Sequence, residues 1–193
     1  MRIEDIEAYA KKHDVPIMEQ DGIEFLTKYV NENNVKNILE IGTAIGYSSI
    51  KMTMMGEDIK VTTIERDEER YNEAIKNIKA FNLENRINVI FGDALEVEVT
   101  GKYDLIFIDA AKAQSIKFFQ KYENNLNDDG TIITDNINFH GLTFTDEKID
   151  SRNVRQLIRK IKTYLDWLRS NENYDSKYVN IGDGLMVSKK NNK

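Results

Sequence analysis

The sequence contains no cysteine, two histidines, one proline and one tryptophan in 193 residues. The missing cysteine excludes disulfides, thiol chemistry and any thiolate metal site. His13 and His140 are too few and too far apart in the chain to suggest a histidine metal site or a proton relay. No apolar run approaches the ~20 residues needed to cross a bilayer, and no charged segment followed by an apolar stretch opens the chain. The expected location is therefore the cytoplasm, without a membrane partner. Neither the dinucleotide fingerprint G-x-G-x-x-G nor a P-loop Gly-Lys-Ser/Thr is present, which argues against NAD and ATP as ligands. What remains is ordinary for a globular chain: 40% hydrophobic residues, 31% charged residues and a net charge of −6. The length suits one domain over 1–193 with a sizeable core. The acidic balance argues mildly against nucleic acid as a partner, although a local patch can override a global sum.

The stretch Asn37 to Ile50, NILEIGTAIGYSSI, organises the chain. Its apolar, β-branched start suits a buried strand, which breaks at Gly42 into a loop closed by Gly46, with a helix expected from about Tyr47. Glycines between a strand and a helix bring bare backbone N–H groups close to a ligand. Glu40, a carboxylate at the end of a buried strand, requires a partner, and an amine on a ligand would serve.

Residues 1–36 are read as a helical cap that packs on the first strand or on a second subunit. Ile3, Ile6 and Tyr9 share one helical face, Pro16 breaks the chain, and Ile23, Leu26, Tyr29 and Val30 repeat at helical spacing. Residues 37–193 form the core. Strands are expected at Val61–Ile64, Ile87–Phe91, Tyr103–Ile108 and Thr131–Thr134. The intervening helices include a charged one reaching about Phe81 and one carrying Ile116, Phe118 and Phe119 on to Asp129-Gly130. Alternation of this kind implies an α/β fold: right-handed crossovers and a mostly parallel sheet with helices on both faces. His140 to Ser151 is a loop. Arg152 to Arg169 is an amphipathic helix facing the sheet with Val154, Leu157, Ile158, Ile161, Leu165 and Leu168. Lys177–Ile181 and Leu185–Ser188 flank Gly182-Asp183-Gly184 as an antiparallel hairpin. Met52, Met54 and Met55 are expected to fill core. No internal repeat or interdomain linker is visible.

Each predicted parallel strand ends in an acid: Glu40, Glu65, Asp93, Asp109 and Asp135. In open α/β sheets, ligands sit at the carboxyl ends of strands. Glu65 lies 19 residues past Gly46, close to the ~20-residue offset at which an acid receives ribose hydroxyls. Asp93-Ala94 would then meet an adenine. An adenosine ligand whose other end offers an amine to Glu40 is S-adenosylmethionine. Any one of these acids could equally be a capping residue; five at successive strand ends are harder to explain that way. Asp109, Asp135 and Asn136 form a hard, all-oxygen set suited to Mg²⁺ or Ca²⁺, although Asp135-Asn136 could simply begin a turn. Lys112 lies one turn beyond Asp109, where it is either a solvated lysine or a general base for a hydroxyl.

NILEIGTAIGYSS, VTTIERDEERY, INVIFGDALE, YDLIFIDAAK and TIITDN, in this order, resemble the metal-dependent class I O-methyltransferases of the catechol and caffeoyl-CoA type. The resemblance covers nearly the whole chain and implies a Rossmann-like fold with a seven-stranded sheet. It implies S-adenosylmethionine on Met18, Glu40, Gly42, Gly46, Ser48, Glu65, Arg66, Asp93, Ala94 and Asp109. It also implies a divalent metal such as Mg²⁺ on Asp109, Asp135 and Asn136, Lys112 as base beside Asp109, and a homodimer. IERDEERY, FIDAAK, the basic final helix with Trp167, and IGDGL resemble more closely the bacterial tRNA 5-hydroxyuridine methyltransferases, which form 5-methoxyuridine at the wobble position. 5-Hydroxyuridine presents O4 and its 5-hydroxyl side by side, as a catechol presents two oxygens, so one cation can chelate both.

Arg152, Arg155, Arg159 and Lys162 line one flank of the final helix, with Lys160 nearby and no acid between 151 and 165. Such a stripe either neutralises RNA phosphates or is a solvated face. Phe139 and Phe144, in the preceding loop, either stack on a base or pack the loop down. Three functions are therefore open: tRNA modification, methylation of a small catechol, and adenosyl-ligand binding without catalysis.

Overall fold

The structure is a computed structural model that describes residues 1–146 and 148–191. Seven strands form one sheet: β1 (Asn37–Ile41), β2 (Lys60–Glu65), β3 (Ile87–Phe91), β4 (Tyr103–Ile108), β5 (Leu126–Thr134), β6 (Tyr174–Val179) and β7 (Leu185–Lys190), in the order β3-β2-β1-β4-β5-β7-β6. The first five pair in parallel, and β7 runs antiparallel between β5 and β6. The expected α/β sheet with a closing hairpin is thus present, with the last strand inserted one place inside the edge.

Strand alternation explains why helices cover both faces. Ile38, Leu105, Phe107 and Ile133 point to one side, where α1 (Ile3–Lys12), α2 (Gln20–Glu32), α3 (Tyr47–Thr53) and α4 (Glu68–Ala80) pack. Leu39, Ile41, Ile106, Ile108 and Ile132 point to the other, against α5 (Ser115–Tyr122) and α6 (Arg152–Ser170). Each wholly buried Leu, Ile or Phe contributes about 1.5–3 kcal/mol, so these positions hold the layers together. The N-terminal helices thus cap the chain's own sheet: Ile6, Ile23 and Leu26 are 0% exposed, and the Tyr29 hydroxyl donates to Thr131 Oγ1 on β5 at 2.8 Å.

Several boundaries differ from expectation. β6 starts at Tyr174 because that ring is buried against Phe119, with centroids 4.8 Å apart. A sequence period sees no such contact. α5 ends at Tyr122, and β5 begins at Leu126 rather than Thr131, carrying Asp128 and Asp129 inside an irregular strand start. Met52 is buried, but Met54 and Met55 are exposed because α3 ends at Thr53 and leaves them in the following turn.

The order of strand addition reverses between β1 and its parallel neighbour β4: β1, β2 and β3 are laid down toward one edge and β4 and β5 toward the other. This switch point opens a crevice beyond the carboxyl ends of the strands.

Candidate active site

The crevice is a cleft of about 490 Å³, within the size range of small-molecule sites. One wall comes from the loop after β1. Gly42 adopts φ +103°, and a Cβ there would lie 2.2 Å from the Asp109 carbonyl oxygen. Only glycine allows the β1 and β4 ends to approach this closely.

Glu65 ends β2 and is fixed by its own backbone surroundings. Its Oε2 accepts from Ala44 N–H at 2.8 Å, and its Oε1 from Arg66 and Asp67 N–H at 2.9 Å. Asp93 follows β3, accepts from Leu95 N–H at 2.8 Å, and lies 3.7 Å from Arg66 in an exposed ion pair. Ala94, Gly42 and Met18 also line this half of the cleft, with Met18 supplied by the 13–19 segment between α1 and α2.

Glu40, Gly46 and Ser48 lie behind that wall rather than on it. Glu40 is 0% exposed and accepts hydrogen bonds from the Ser48 and Ser49 hydroxyls and, at 2.6 Å, from Thr63. The chain itself supplies the partner that sequence reasoning assigned to a ligand amine. Burial pushes the Glu40 carboxyl up to about 7, with the three hydroxyls pulling it back down. Gly46 caps α3 in a left-handed conformation and packs on Ala74.

The other half of the cleft is acidic. Lys112 sits on a 3-10 turn over Lys112–Gln114, and its Nζ lies 2.9 Å from Asp109 Oδ1, both side chains largely buried. Asp135, at the end of β5, is 3% exposed and accepts from Asn136 N–H at 2.6 Å. Burial, and next the charge of Asp109, push its carboxyl up to about 7, while Lys112 acts in the opposite direction. Asn136 lines the same space with φ +58°, a conformation asparagine tolerates. One ammonium beside two partly or wholly buried carboxylates leaves an excess of negative charge, and with the Asn136 amide the donors are all oxygen. That set fits a hard divalent cation. Among the described residues, no group of three histidine, cysteine, aspartate or glutamate side chains is placed to hold a metal; a cation here would take only two carboxylates, with the Asn136 amide beside them.

The cleft also has walls that sequence reasoning missed. Ile17, Phe118 and Arg70 line it, as does Asp183 from the turn before β7. The Gly182-Asp183-Gly184 spacing was visible but signalled only a hairpin. Phe139 and His140 stand at the cleft, whereas Phe144 is 51% exposed and packs edge-on against Tyr178 at 5.1 Å. The basic side chains of α6 are exposed, as expected. Arg155, however, donates to the Ile149 and Asp150 carbonyls at 2.5 and 2.6 Å and closes the preceding loop.

A 3-2-1-4-5-7-6 sheet with a glycine loop after β1 and an acid ending β2 defines a Rossmann-like methyltransferase fold. The chain belongs to the O-methyltransferase family, whose model matches residues 2–191. The caffeoyl-CoA O-methyltransferase of Populus kitakamiensis is 25% identical over 178 residues, spanning 86% of this chain and 74% of that protein. The catechol O-methyltransferase of Niastella koreensis is 36% identical over 110 residues, spanning 53% of this chain and 49% of that protein. The crystal structure of a proposed caffeoyl-CoA O-methyltransferase from Staphylococcus aureus is 43% identical, superposes with a TM-score of 0.93, and is matched over 99% of this chain and 93% of that one. The Bacillus cereus O-methyltransferase, solved with S-adenosylhomocysteine, shares the fold at 24% identity and a TM-score of 0.83, over 98% of this chain and 90% of that one. Among the described residues, no helix is long and apolar enough to cross a membrane.

Proposed function

We propose that this chain transfers a methyl group from S-adenosylmethionine to the 5-hydroxyl of 5-hydroxyuridine at the tRNA wobble position, with a divalent cation bound. The observation that carries the reading is the Lys112–Asp109 pair, at 2.9 Å, facing buried Asp135 in the same cleft as Glu65 and Asp93. This combination suits a substrate that presents two vicinal oxygens beside a methyl donor.

Glu65 would receive the ribose hydroxyls of the cofactor on the carboxylate face not used by backbone N–H groups. Asp93, Ala94 and Met18, which line the same half of the cleft, would hold its adenine end. S-adenosylmethionine, when bound, supplies an electrophilic methyl on a sulfonium. Asp109, Asp135 and the Asn136 amide would hold the cation, which supplies Lewis acidity toward the two substrate oxygens. In its neutral amine form, after the proton of its resting ammonium has passed to solvent, Lys112 Nζ takes the hydroxyl proton, and the cleft walls rather than bulk water keep the resulting oxyanion in line. Asp109 holds the ammonium that forms. Outside the cleft, α6 runs beside the Lys112 turn and offers exposed Arg152, Arg159, Lys160 and Lys162 to phosphates. The family resemblance further supports a homodimer, tested by the mass in solution.

A second reading, methylation of a small catechol, is favoured by the family's catechol and caffeoyl-CoA members. The two are separated by supplying S-adenosylmethionine, Mg²⁺ and either an anticodon stem-loop containing 5-hydroxyuridine or a simple catechol. Methyl transfer to the RNA is the expected result. Transfer only to the catechol would overturn the RNA reading, and binding of cofactor with transfer to neither would leave a non-catalytic module.

A further inference from the structure

Asp183 has no part in the chemistry above, yet it is a carboxylate 7% exposed on the wall of the cleft. Its backbone is held tightly. Gly182 and Gly184 flank it at φ +56° and +80°, and a Cβ on Gly184 would lie 2.9 Å from Asn138 N and Tyr178 Oη. Gly182 N–H donates to Asp21 Oδ2 at 3.1 Å, tying the turn to the start of α2. The Asp183 and Gly184 carbonyls accept from Asn138 and Ile137 N–H at 2.7 and 2.9 Å. The turn is thereby stitched to the chain just after Asp135 and Asn136.

The two oxygens of Asp183 are treated differently. Oδ1 accepts from His140 N–H at 2.5 Å. Among the described residues, the polar group recorded opposite Oδ2 is His140 Nδ1, at 3.9 Å, beyond hydrogen-bonding range. Asp183 Oδ2 is not among the buried side-chain atoms left without a partner, so it keeps an accessible acceptor position on the cleft wall that a ligand N–H can fill. The charge of Asp183 is also felt at Asp135, so it lies on the metal-ligand side of the cleft.

We infer that Asp183 is a specificity-determining residue that accepts a ring N–H of the substrate and so selects a pyrimidinedione over a catechol. This rests on the proposed reading that the substrate is 5-hydroxyuridine. In that ring the 5-hydroxyl, O4 and N3–H follow one another, so a base held by its two oxygens beside Asp135 turns N3–H toward the next acceptor along the wall. A catechol has carbon at that position and leaves the carboxylate unpaired. A site built around such a bond rejects the analogue that lacks the donor.

The test uses stem-loops carrying 5-hydroxyuridine or its N3-methyl derivative, with wild type and Asp183→Asn. Asparagine keeps an acceptor for His140 N–H but turns a donor toward N3. The wild type is expected to prefer the N3–H substrate by about tenfold or more in kcat/KM, the worth of one bond to a charged group. Asp183→Asn is expected to lose that preference while retaining the wild-type melting temperature. Equal preference in both proteins, or no preference in the wild type, overturns the role of Asp183. Failure of the wild type to methylate either RNA while methylating a catechol refutes the substrate reading instead, and the role of Asp183 with it.

Discussion

Glu40 shows how a residue read as unusual from sequence can find partners within the chain that the sequence does not announce. Its position on the Ile38 side of β1 directs it at α3, where serines replace the apolar residues that normally meet a strand. Three hydroxyl donors satisfy the carboxylate, yet burial still favours its protonated form and raises it from 4.5 to about 7. Because the folded value exceeds the unfolded one, the stabilisation is complete below about pH 4.5 and is lost as pH rises through 7. Glu40→Gln should therefore flatten the pH dependence of stability between pH 5 and 8, by up to about 3 kcal/mol if the whole shift is realised. Urea unfolding of the two proteins across that range checks this; parallel curves would show that Glu40 remains charged when buried. At Asp109, Lys112 and Asp135 the sequence spacing was sufficient, because strand ends and the turns that follow them leave little freedom in where a side chain points.

At the scale of elements, the active cleft depends on β1 and β4 ending side by side. Gly42 is the contact point, with no space for a Cβ beside the Asp109 carbonyl and a left-handed φ besides. Gly42→Ala should destabilise the fold by roughly 2–4 kcal/mol through strain and forced strand separation, measured as a fall in the denaturation midpoint. A change under half a kcal/mol would mean that the loop shifts freely. The parallel strands were legible in sequence because apolar β-branched runs stop at glycine or an acid. The starts of β5 and β6 were not, since Leu126 and Tyr174 are fixed by tertiary contacts with β4 and α5. Asp183 was overlooked for a related reason: a Gly-Asp-Gly turn looks the same in a sequence whether it faces solvent or a cleft.

For the molecule as a whole, a net charge of −6 is set against an exposed basic flank on α6. Arg155 differs from the rest of the set seen in the sequence, because its Nη1 holds the 149–150 carbonyls while the residue stays exposed. Reversing Arg152 and Arg159 to Glu should weaken binding of the anticodon stem-loop by tenfold or more at about 0.1 M salt and reduce the slope of log affinity against log salt. Methylation of a free nucleoside, where it occurs, should not change. An unaltered salt slope would assign α6 only a solubilising role. The two halves of the cleft make separable demands. In the proposed reaction Glu65, Asp93 and Met18 would serve the cofactor, whereas Asp109, Lys112, Asp135 and Asn136 would serve the atom that receives the methyl group.

That separation is tested most directly by Asp135→Ala, assayed for methyl transfer to a 5-hydroxyuridine stem-loop in Mg²⁺ and, in parallel, for S-adenosylmethionine binding by calorimetry. Turnover should fall by about 100-fold or more while cofactor affinity stays within a few-fold of wild type. Unchanged turnover, or loss of both together, would contradict the two-part site.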